Sequence, residues 1–330
     1  MRIQRRVWLP ALAAVLGVAL AAAPARAAEV DKYLPDDTQE VVMVNVKQLL
    51  DSGLFKKYGM EPAQQALKDN GDIADILKDL GFDPFKDLDR VVVGSAGGDD
   101  PEKVLVIAHG HFDLAKFKAK GEDAAKTNPD HLKIHKRDKG PVIYEVKLPQ
   151  SDTPAFVALA DKNTMLVSPG KDYVIDALKK IDAPKPTVKN KDIQALIERM
   201  DGKQTVSMAV LGNALTKGGD LNNFIPKETL ESIDAVGGGL TVGDDVKLEV
   251  VVTAKSADAA KDIREGVNDK LKQAEAALAL LATQQKELEP VLEIVKSMKT
   301  TAKDKTVSLK GEVSAELIEK IIKSVGGLGS

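Results

Sequence analysis

The residues whose types and spacing could support chemistry are two histidines and an aspartate, His109, His111 and Asp113. They come at the end of an apolar run that is typical of a β-strand, and residues two apart on a strand face the same side of a sheet. Both imidazoles could then bind one metal ion with the Asp113 carboxylate close by, as in several metal-dependent hydrolases. The pattern predicts a candidate metal site formed by these three residues.

Such a site needs at least one more ligand. The chain has four histidines, and the other two, His131 and His135, lie four apart on a later predicted strand, so that all four could converge. Asp113 has an alternative role, because an aspartate before a helical pattern is a good N-cap. In the second half of the chain Ser256 holds the corresponding position, without metal ligands before it. The competing interpretation is a helix cap next to polar histidines at a strand end.

Other common catalytic groups are missing from the sequence. The chain has no cysteine, which excludes thiol nucleophiles, iron–sulfur clusters and thiolate zinc sites. The glycine-rich segment Gly94–Gly98 lacks the lysine and hydroxyl residue of a phosphate-binding loop, and no Gly-x-Ser-x-Gly motif occurs. We therefore expect no cofactor, and the residues favour a protein without catalytic activity over an enzyme.

The N-terminus has the pattern of an export signal. Residues 1–6 are basic without an acid, residues 7–23 form an apolar run, and Ala25-Arg26-Ala27 is the small-x-small pattern that signal peptidase recognises. We predict a signal peptide over residues 1–27 and an exported protein, periplasmic or extracellular, without a transmembrane segment after cleavage. The adjacent Arg5 and Arg6 leave both the general and the twin-arginine export routes open.

The charges argue against a nucleic-acid partner. Without residues 1–27, which contain four arginines and no acid, the chain keeps 43 basic and 50 acidic residues, a net charge of −7. Acidic and basic residues are interspersed, which is typical of a solvated surface and not of a phosphate-binding face. Aromatic residues make up only 4% of the chain, so that a core of aliphatic residues is expected.

The order of predicted elements occurs twice, which predicts an α+β protein of two related halves. Val104–Lys118 corresponds to Lys247–Lys261 at an offset of 143, and the opening strands near Val42 and Val206 correspond at an offset of 164. We expect each half to be a mainly antiparallel sheet with helices on one face. Chance similarity of common hairpin patterns is the alternative. The expected divisions are a first half over 28–183, a linker over 184–191 around Pro184, a second half over 192–325, and a flexible tail over 326–330.

One long helix, expected over residues 256–289, lies outside the repeated pattern. Its apolar and alanine positions alternate at spacings of three and four, as on a heptad-like seam. Pro290 should kink or end it, because proline cannot donate the backbone hydrogen bond of a helix interior. The helix could cover the core or form an oligomerisation seam.

Several segments carry a family resemblance. Tyr33–Thr38, Val41–Leu50 and Leu80–Asp89, together with the closing Lys305–Ile321, resemble uncharacterised secreted proteins of planctomycete-type bacteria. The similarity extends over most of the mature chain. It implies export and this overall architecture, and no activity or site residue comes with it.

The leading functional interpretation is a secreted or periplasmic, non-catalytic protein. It would act by binding or structural association, with another envelope protein or a surface component as partner. Two alternatives stay open, a metal-dependent hydrolase centred on His109 and His111, and a carrier of an apolar ligand held between the sheet and the long helix. The sequence leaves the oligomeric state and the identity of the partner undefined.

Overall fold

The structure of the protein, a computed structural model, describes residues 28–147, 153–183, 188–217 and 225–326. The predicted signal peptide, the first part of the predicted linker and most of the predicted tail lie outside these ranges. Helices alternate with strands that all pair antiparallel. The predicted α+β class is confirmed.

Twelve strands of the described residues form one antiparallel sheet, in the order β11-β12-β10-β9-β8-β1-β2-β3-β7-β6-β5-β4. Most of them are rich in valine, isoleucine and threonine, the residues that favour the pleated conformation. The strands are β1 Glu40–Val44, β2 Leu88–Ser95, β3 Val104–Gly110, β4 Leu132–His135, β5 Ile143–Val146, β6 Ala155–Asp161, β7 Thr164–Ser168, β8 Val206–Leu211, β9 Ile233–Val242, β10 Val246–Ala254, β11 Lys299–Lys303 and β12 Thr306–Val313.

Helices occupy the connections between these strands, and several are fixed by side-chain caps. Short 3-10 turns lie at Pro101–Lys103 and Lys286–Leu288, and a π-helical turn lies at Phe55–Gly59. The α-helices are α1 Val46–Asp51, α2 Met60–Asp69, α3 Gly71–Leu80, α4 Pro84–Asp87, α5 Leu114–Thr127, α6 Lys171–Leu178, α7 Lys191–Glu198, α8 Gly212–Leu215, α9 Lys227–Glu231, α10 Ala257–Ala282, α11 Glu289–Ser297 and α12 Ala315–Gly326.

The two predicted halves meet at the centre of this sheet. β1 pairs with β8, the first strand of each half, and Met43 lies opposite Ser207. Outward from this pair the order is β1-β2-β3-β7 on one side and β8-β9-β10-β12 on the other. The strands therefore belong to one continuous sheet and not to a separate sheet in each half. A common origin of the halves stays a prediction.

The main cores of the two halves lie on opposite faces of the sheet. In the first half Val41, Val92 and Ile107 pack with α6, with the segment before β1 and with α7, the first helix of the second half. In the second half Leu240 and Leu248 pack with Val206 and the helices α11 and α12. On β8, Ala209 pairs with Val41 and therefore lies on the same face of the sheet. Val206 is three positions from Ala209, an odd number, so the Val206 side chain points to the opposite face.

Helices cover both faces of the first half, and not one face as the sequence led us to expect. α6 packs near Leu166, whereas α5 packs near Tyr144. Tyr144 lies on the same face as Val167, because Val157 pairs with both of them. Leu166 and Val167 are neighbours on β7 and so point to opposite faces. Because both faces of these strands carry apolar residues, both need a cover.

The long helix is shorter than predicted. α10 starts where expected, with the Ser256 hydroxyl accepting a hydrogen bond from the Ala259 amide at 3.0 Å, but it ends at Ala282. A turn follows, and Pro290 lies in the first turn of α11, where its missing N–H costs nothing. In the sequence the apolar spacing continues past this turn, because α11 packs back on α10 and therefore also needs an apolar face. In the described part of the chain, no helix is both long and apolar enough to cross a membrane.

Candidate functional site

The three residues of the predicted metal site lie in three different environments. His109 lies on β3 between Arg90 of β2 and Thr164 of β7. The strand ends at Gly110, so the alternation that would align His111 with His109 ends there too, and the His111 side chain is 68% exposed. Asp113 caps α5 by accepting hydrogen bonds from the amides of Ala115 and Lys116, at 3.1 and 3.0 Å.

The other two histidines belong to the β4 end of the sheet, His131 directly before that strand and His135 within it. His135 is on β4, at the edge of the sheet and four strand spacings from β3, which is roughly 19 Å. Its Nε2 atom lies 2.7 Å from the Glu145 carboxylate, and its Nδ1 atom lies 3.0 Å from the Lys171 ammonium. Within the described ranges no group of three or more His, Cys, Asp or Glu side chains is arranged to hold a metal ion.

His109 belongs instead to a charged cluster that we call the Asp31 cluster, formed by Asp31, Arg90 and His109. The Asp31 side chain is only 2% exposed. Its Oδ2 atom lies 2.5 Å from His109 Nε2 and 3.2 Å from Arg90 Nη2, and its Oδ1 atom accepts a hydrogen bond from the Tyr33 amide at 3.0 Å. The cluster joins the segment before β1 to β2 and β3.

The partners of Asp31 compensate for its burial. Burial alone raises the pKa of a carboxyl group, yet the hydrogen bond and positive charge of His109, the Tyr33 amide and the Arg90 guanidinium together hold the pKa of Asp31 below its ordinary value. Asp31 is therefore an ionised carboxylate at neutral pH. A buried charge with this set of partners is a structural element of the packing.

The segment that Asp31 anchors is itself part of the core. Tyr33 and Leu34 are each 1% exposed, and the Lys32 ammonium donates a hydrogen bond to the Ile181 carbonyl at 2.8 Å. Burial and the nearby Asp161 carboxylate raise the pKa of the Tyr33 hydroxyl, which makes no well-aligned hydrogen bond to its neighbours. Sequence reasoning missed Asp31, because nothing in the spacing links it to a histidine 78 positions away.

An apolar concave feature of the first half is a cavity of about 640 Å³, which we call the α5 cavity. It lies between α5 and the strands β4, β5 and β6, and it is open to solvent on one side. Aliphatic side chains and one tyrosine form its floor and walls, and charged residues stand at its rim. The lining residues are Leu114, Lys118, Glu122, Ala125, Lys126, Ile134, Lys136, Pro141, Val142, Tyr144, Leu159, Ala160 and Asp161.

Two contacts hold α5 over these strands. At its N-terminal end Phe117 packs edge-on against Phe112, which stacks on Phe82 with ring centroids 5.1 Å apart. In its middle, Gly121 lies directly against the Tyr144 ring, and a Cβ atom at this position would overlap that ring. The glycine therefore sets how closely the helix approaches the sheet, and with it the depth of the cavity.

The lysines at the rim of the α5 cavity differ from their neighbours. Lys116 and Lys120, on the same helix, form ion pairs with Asp113 and Asp79 at 3.8 and 2.7 Å. The three rim lysines have no such acidic partner among the residues that the structure describes: Lys118, Lys126 and Lys136. Lysines without an ion-pair partner therefore border an apolar interior, together with the acids Glu122 and Asp161.

A second cavity of about 690 Å³ lies in the second half, bordered by α7, α8, α9 and the ends of β9 and β10. Charged and polar side chains form much of its wall, among them Asp192, Arg199, Glu231 and Lys255. A carrier site between the sheet and the long helix, as the sequence suggested, does not coincide with either cavity. The α5 cavity is the better candidate for an apolar ligand, and it lies in the first half.

No known family model matches this sequence, and no curated protein matches it. Among solved structures, the chain is similar to crystal form I of TP0453 with a TM-score of 0.46 and 12% sequence identity. The match covers 91% of this chain and 99% of that one. A likeness of this degree identifies no family and transfers no function to this chain.

Proposed function

We propose that this chain is an exported, non-catalytic binding protein that holds an apolar small molecule in the α5 cavity. One observation carries the proposal: an open cavity of about 640 Å³, lined mainly by aliphatic side chains, between a helix and three strands. Small-molecule sites in proteins occupy roughly 300–1,000 Å³ and combine an apolar lining with a few polar groups. The α5 cavity has both properties.

The lining favours an aliphatic ligand over an aromatic one or a sugar. Tyr144 is the single aromatic residue among the lining residues, so stacking against rings contributes little. Ile134, Val142 and Leu159 offer contacts to a flexible hydrocarbon chain instead. Burying such a chain removes apolar surface from water, at roughly 25 cal/mol per Å².

The placement of the polar side chains supports binding over catalysis. His109 is held by the Asp31 cluster and His135 by Glu145, so neither histidine is directed to the α5 cavity. Histidine is the most frequent general acid or base in enzymes, and none of the residues that line the cavity is a histidine. The lysines at the rim are suited to hold a ligand in place.

The predicted signal peptide supports a location of this protein in the periplasm or outside the cell. An apolar molecule that crosses an aqueous compartment needs a protein that shields it from water. We propose that the partner is a component of the envelope, another protein or the surface itself, that delivers or receives the ligand. The resemblance to secreted bacterial proteins agrees with this location.

Native purification of the mature protein tests the proposal. We expect mass spectrometry of an organic extract to find an aliphatic molecule in near-stoichiometric amount. We further expect Ala125→Trp, which fills the cavity from α5, to reduce binding of a fluorescent aliphatic probe by about tenfold or more. Ala119→Trp is the matched control, since Ala119 is exposed on the same helix and does not line the cavity.

Two outcomes would overturn the proposal. In the first, the purified chain carries no apolar molecule and binds no aliphatic probe. In the second, Ala125→Trp and Ala119→Trp bind the probe as tightly as the unmodified protein, which would place the probe elsewhere. Circular dichroism of both variants shows whether the fold is retained, so that a loss of binding is assigned correctly.

A further inference from the structure

We infer that the ligand of the α5 cavity is a single-chain amphiphile with an anionic head, of the long-chain carboxylate type. The inference rests on the proposed function and specifies the chemical class that the same cavity selects. It follows from the arrangement of lysines around the opening and from the charges that do and do not face them.

The lysines of α5 divide according to the direction they face. Lys116 and Lys120 face away from the α5 cavity and have acidic partners, Asp113 and Asp79. Lys118 and Lys126 line the cavity and have no acidic partner within the described part of the chain. A lysine without a partner at the mouth of an apolar cavity is free to pair with an anion from solution.

The unpaired lysines stand on both sides of the opening. Lys118 and Lys126 are eight residues apart on α5, which separates their positions by about 12 Å along the helix. Lys136 follows β4 and approaches from the strand side. Lysine side chains can lay their aliphatic stems along an apolar wall while the ammonium stays in water. An anionic head at the mouth would therefore meet ammonium groups while its chain lies below.

Two acids also line the cavity, and they offset only part of these charges. The Asp161 carboxylate accepts a hydrogen bond from the Asn163 amide at 2.7 Å and lies near Tyr33. Glu122 lies by Tyr144, where burial of the ring and the charge of Glu122 raise the pKa of the tyrosine hydroxyl. Three lysines and two acids thus line the cavity without ion-pair partners in the described residues, and the remaining balance of one positive charge favours an anion.

The net charge of the protein favours a free amphiphile over a membrane surface as the occupant. Without residues 1–27 the chain carries a net charge of −7, and a membrane with anionic lipids presents many negative charges on one surface. Long-range repulsion grows with the number of charges on the partner, so it opposes docking on such a surface far more than the approach of one small anion. The positive patch is local to the cavity, which fits one small anion and not a lipid bilayer.

Calorimetric titration of the mature protein with matched alkyl ligands tests the inference. We expect dodecanoate to bind about tenfold more tightly than dodecanol, and dodecyltrimethylammonium to bind more weakly than either. The preference for dodecanoate should fall as salt is added, because the rim is exposed. It should also be lost in a triple variant in which Lys118→Gln, Lys126→Gln and Lys136→Gln are combined.

The control is a second triple variant with the same change in net charge, Lys116→Gln, Lys120→Gln and Lys272→Gln. These lysines lie outside the α5 cavity, so this variant should keep the preference. A loss of preference in both variants would mean that overall charge, and not the rim, selects the ligand, and would overturn the inference.

The alkyl ligands separate failure of the inference from failure of the proposed function. If dodecanol binds as tightly as dodecanoate, and Ala125→Trp weakens both, the cavity binds apolar chains but selects no anionic head, and only the inference is wrong. If none of the three ligands binds, the proposed function is wrong as well. Binding to phosphatidylglycerol vesicles without binding of free dodecanoate would make a membrane surface the occupant, and would also overturn the inference.

Discussion

The Asp31 cluster and the α5 cavity are two places in the first half where charged groups meet the apolar interior, and they treat charge in opposite ways. In the Asp31 cluster the carboxylate is buried and has contacts with His109, Arg90 and the Tyr33 amide. At the rim of the α5 cavity, Lys118 and Lys126 are exposed and have no acidic partner among the described residues.

This difference separates a structural role from a binding role. A buried charge destabilises the fold unless neighbouring groups compensate for it, so the set of partners around Asp31 is what packing requires. Exposed lysines need no partner, and leaving them unpaired around an apolar cavity keeps them available to a ligand. Of the two histidines whose spacing suggested chemistry, His109 thus belongs to the packing and His111 is exposed, whereas lysines typical of a solvated helix face border the candidate site.

The largest expected effect comes from removing the charge at the centre of the cluster. Asp31→Ala leaves Arg90 and His109 without their shared carboxylate and frees the segment before β1, and we expect a loss of about 3 kcal/mol in the free energy of unfolding. Urea denaturation followed by circular dichroism measures it. Binding of dodecanoate should be unchanged under conditions where the variant is folded. A variant that unfolds at the same urea concentration as the unmodified protein would show that the cluster is not structural.

Smaller effects on stability, of opposite sign, should follow when either of two glycines on different helices is replaced by alanine. At Gly121 a methyl group would overlap the Tyr144 ring, so Gly121→Ala should lower the free energy of unfolding by about 1–2 kcal/mol and weaken ligand binding by moving α5. At Gly266 on α10 nothing lies within 4 Å of an added Cβ atom, and Gly266→Ala should stabilise by about 0.5–1 kcal/mol. Equal effects of the two substitutions would contradict the proposed approach of α5 to the sheet.

Much of the local structure could be predicted from the sequence. Apolar strand residues on either side of Gly97 and Gly98, which have φ of 76° and 88°, are a local signal for the hairpin of β2 and β3. Glycines also mark helix boundaries, since α3 begins at Gly71 and Gly81 ends it in the left-handed conformation. These features depend on a few neighbouring residues, which is why the sequence shows them.

Features that join distant segments could not be predicted. The pairing of β1 with β8 makes one sheet of the two halves, but strands more than 160 residues apart leave no local trace of their register. The same holds for Asp31 and His109, and for the direction in which each lysine of α5 faces. The lysine-rich pattern of α5 is typical of a solvated helix face, and only the positions of Asp79 and Asp113 show which lysines are paired.

Acid should weaken the Asp31 cluster, because its central carboxylate loses its charge when it takes up a proton. The folded-state pKa of Asp31 lies below its ordinary value of 3.8, so the unfolded chain binds the proton more readily than the folded one. The stability that this group contributes is therefore fully present above about pH 5 and is lost as the pH falls through its folded-state value. An Asp31→Asn variant removes the charge of this side chain and keeps the charged and titratable groups around it, Arg90, His109, Tyr33 and Asp161. We expect the stability difference between the two proteins to shrink between about pH 5 and pH 3, and a constant difference would argue against the pKa assignment.

The smallest effect concerns Asp113, because it decides between a helix cap and a metal ligand at the entrance to α5. Since the side chain accepts hydrogen bonds from two backbone amides, Asp113→Ala should lower the free energy of unfolding by about 1 kcal/mol. Asp113→Ser should restore most of this loss, because a serine hydroxyl can cap a helix N-terminus, as Ser256 does at α10. A serine would be a poor substitute for a carboxylate metal ligand, so Zn²⁺ titration of all three proteins provides the second measurement. Zn²⁺-dependent stabilisation of the unmodified protein that neither variant shows would restore the metal site and bring His109 and His111 back into the comparison.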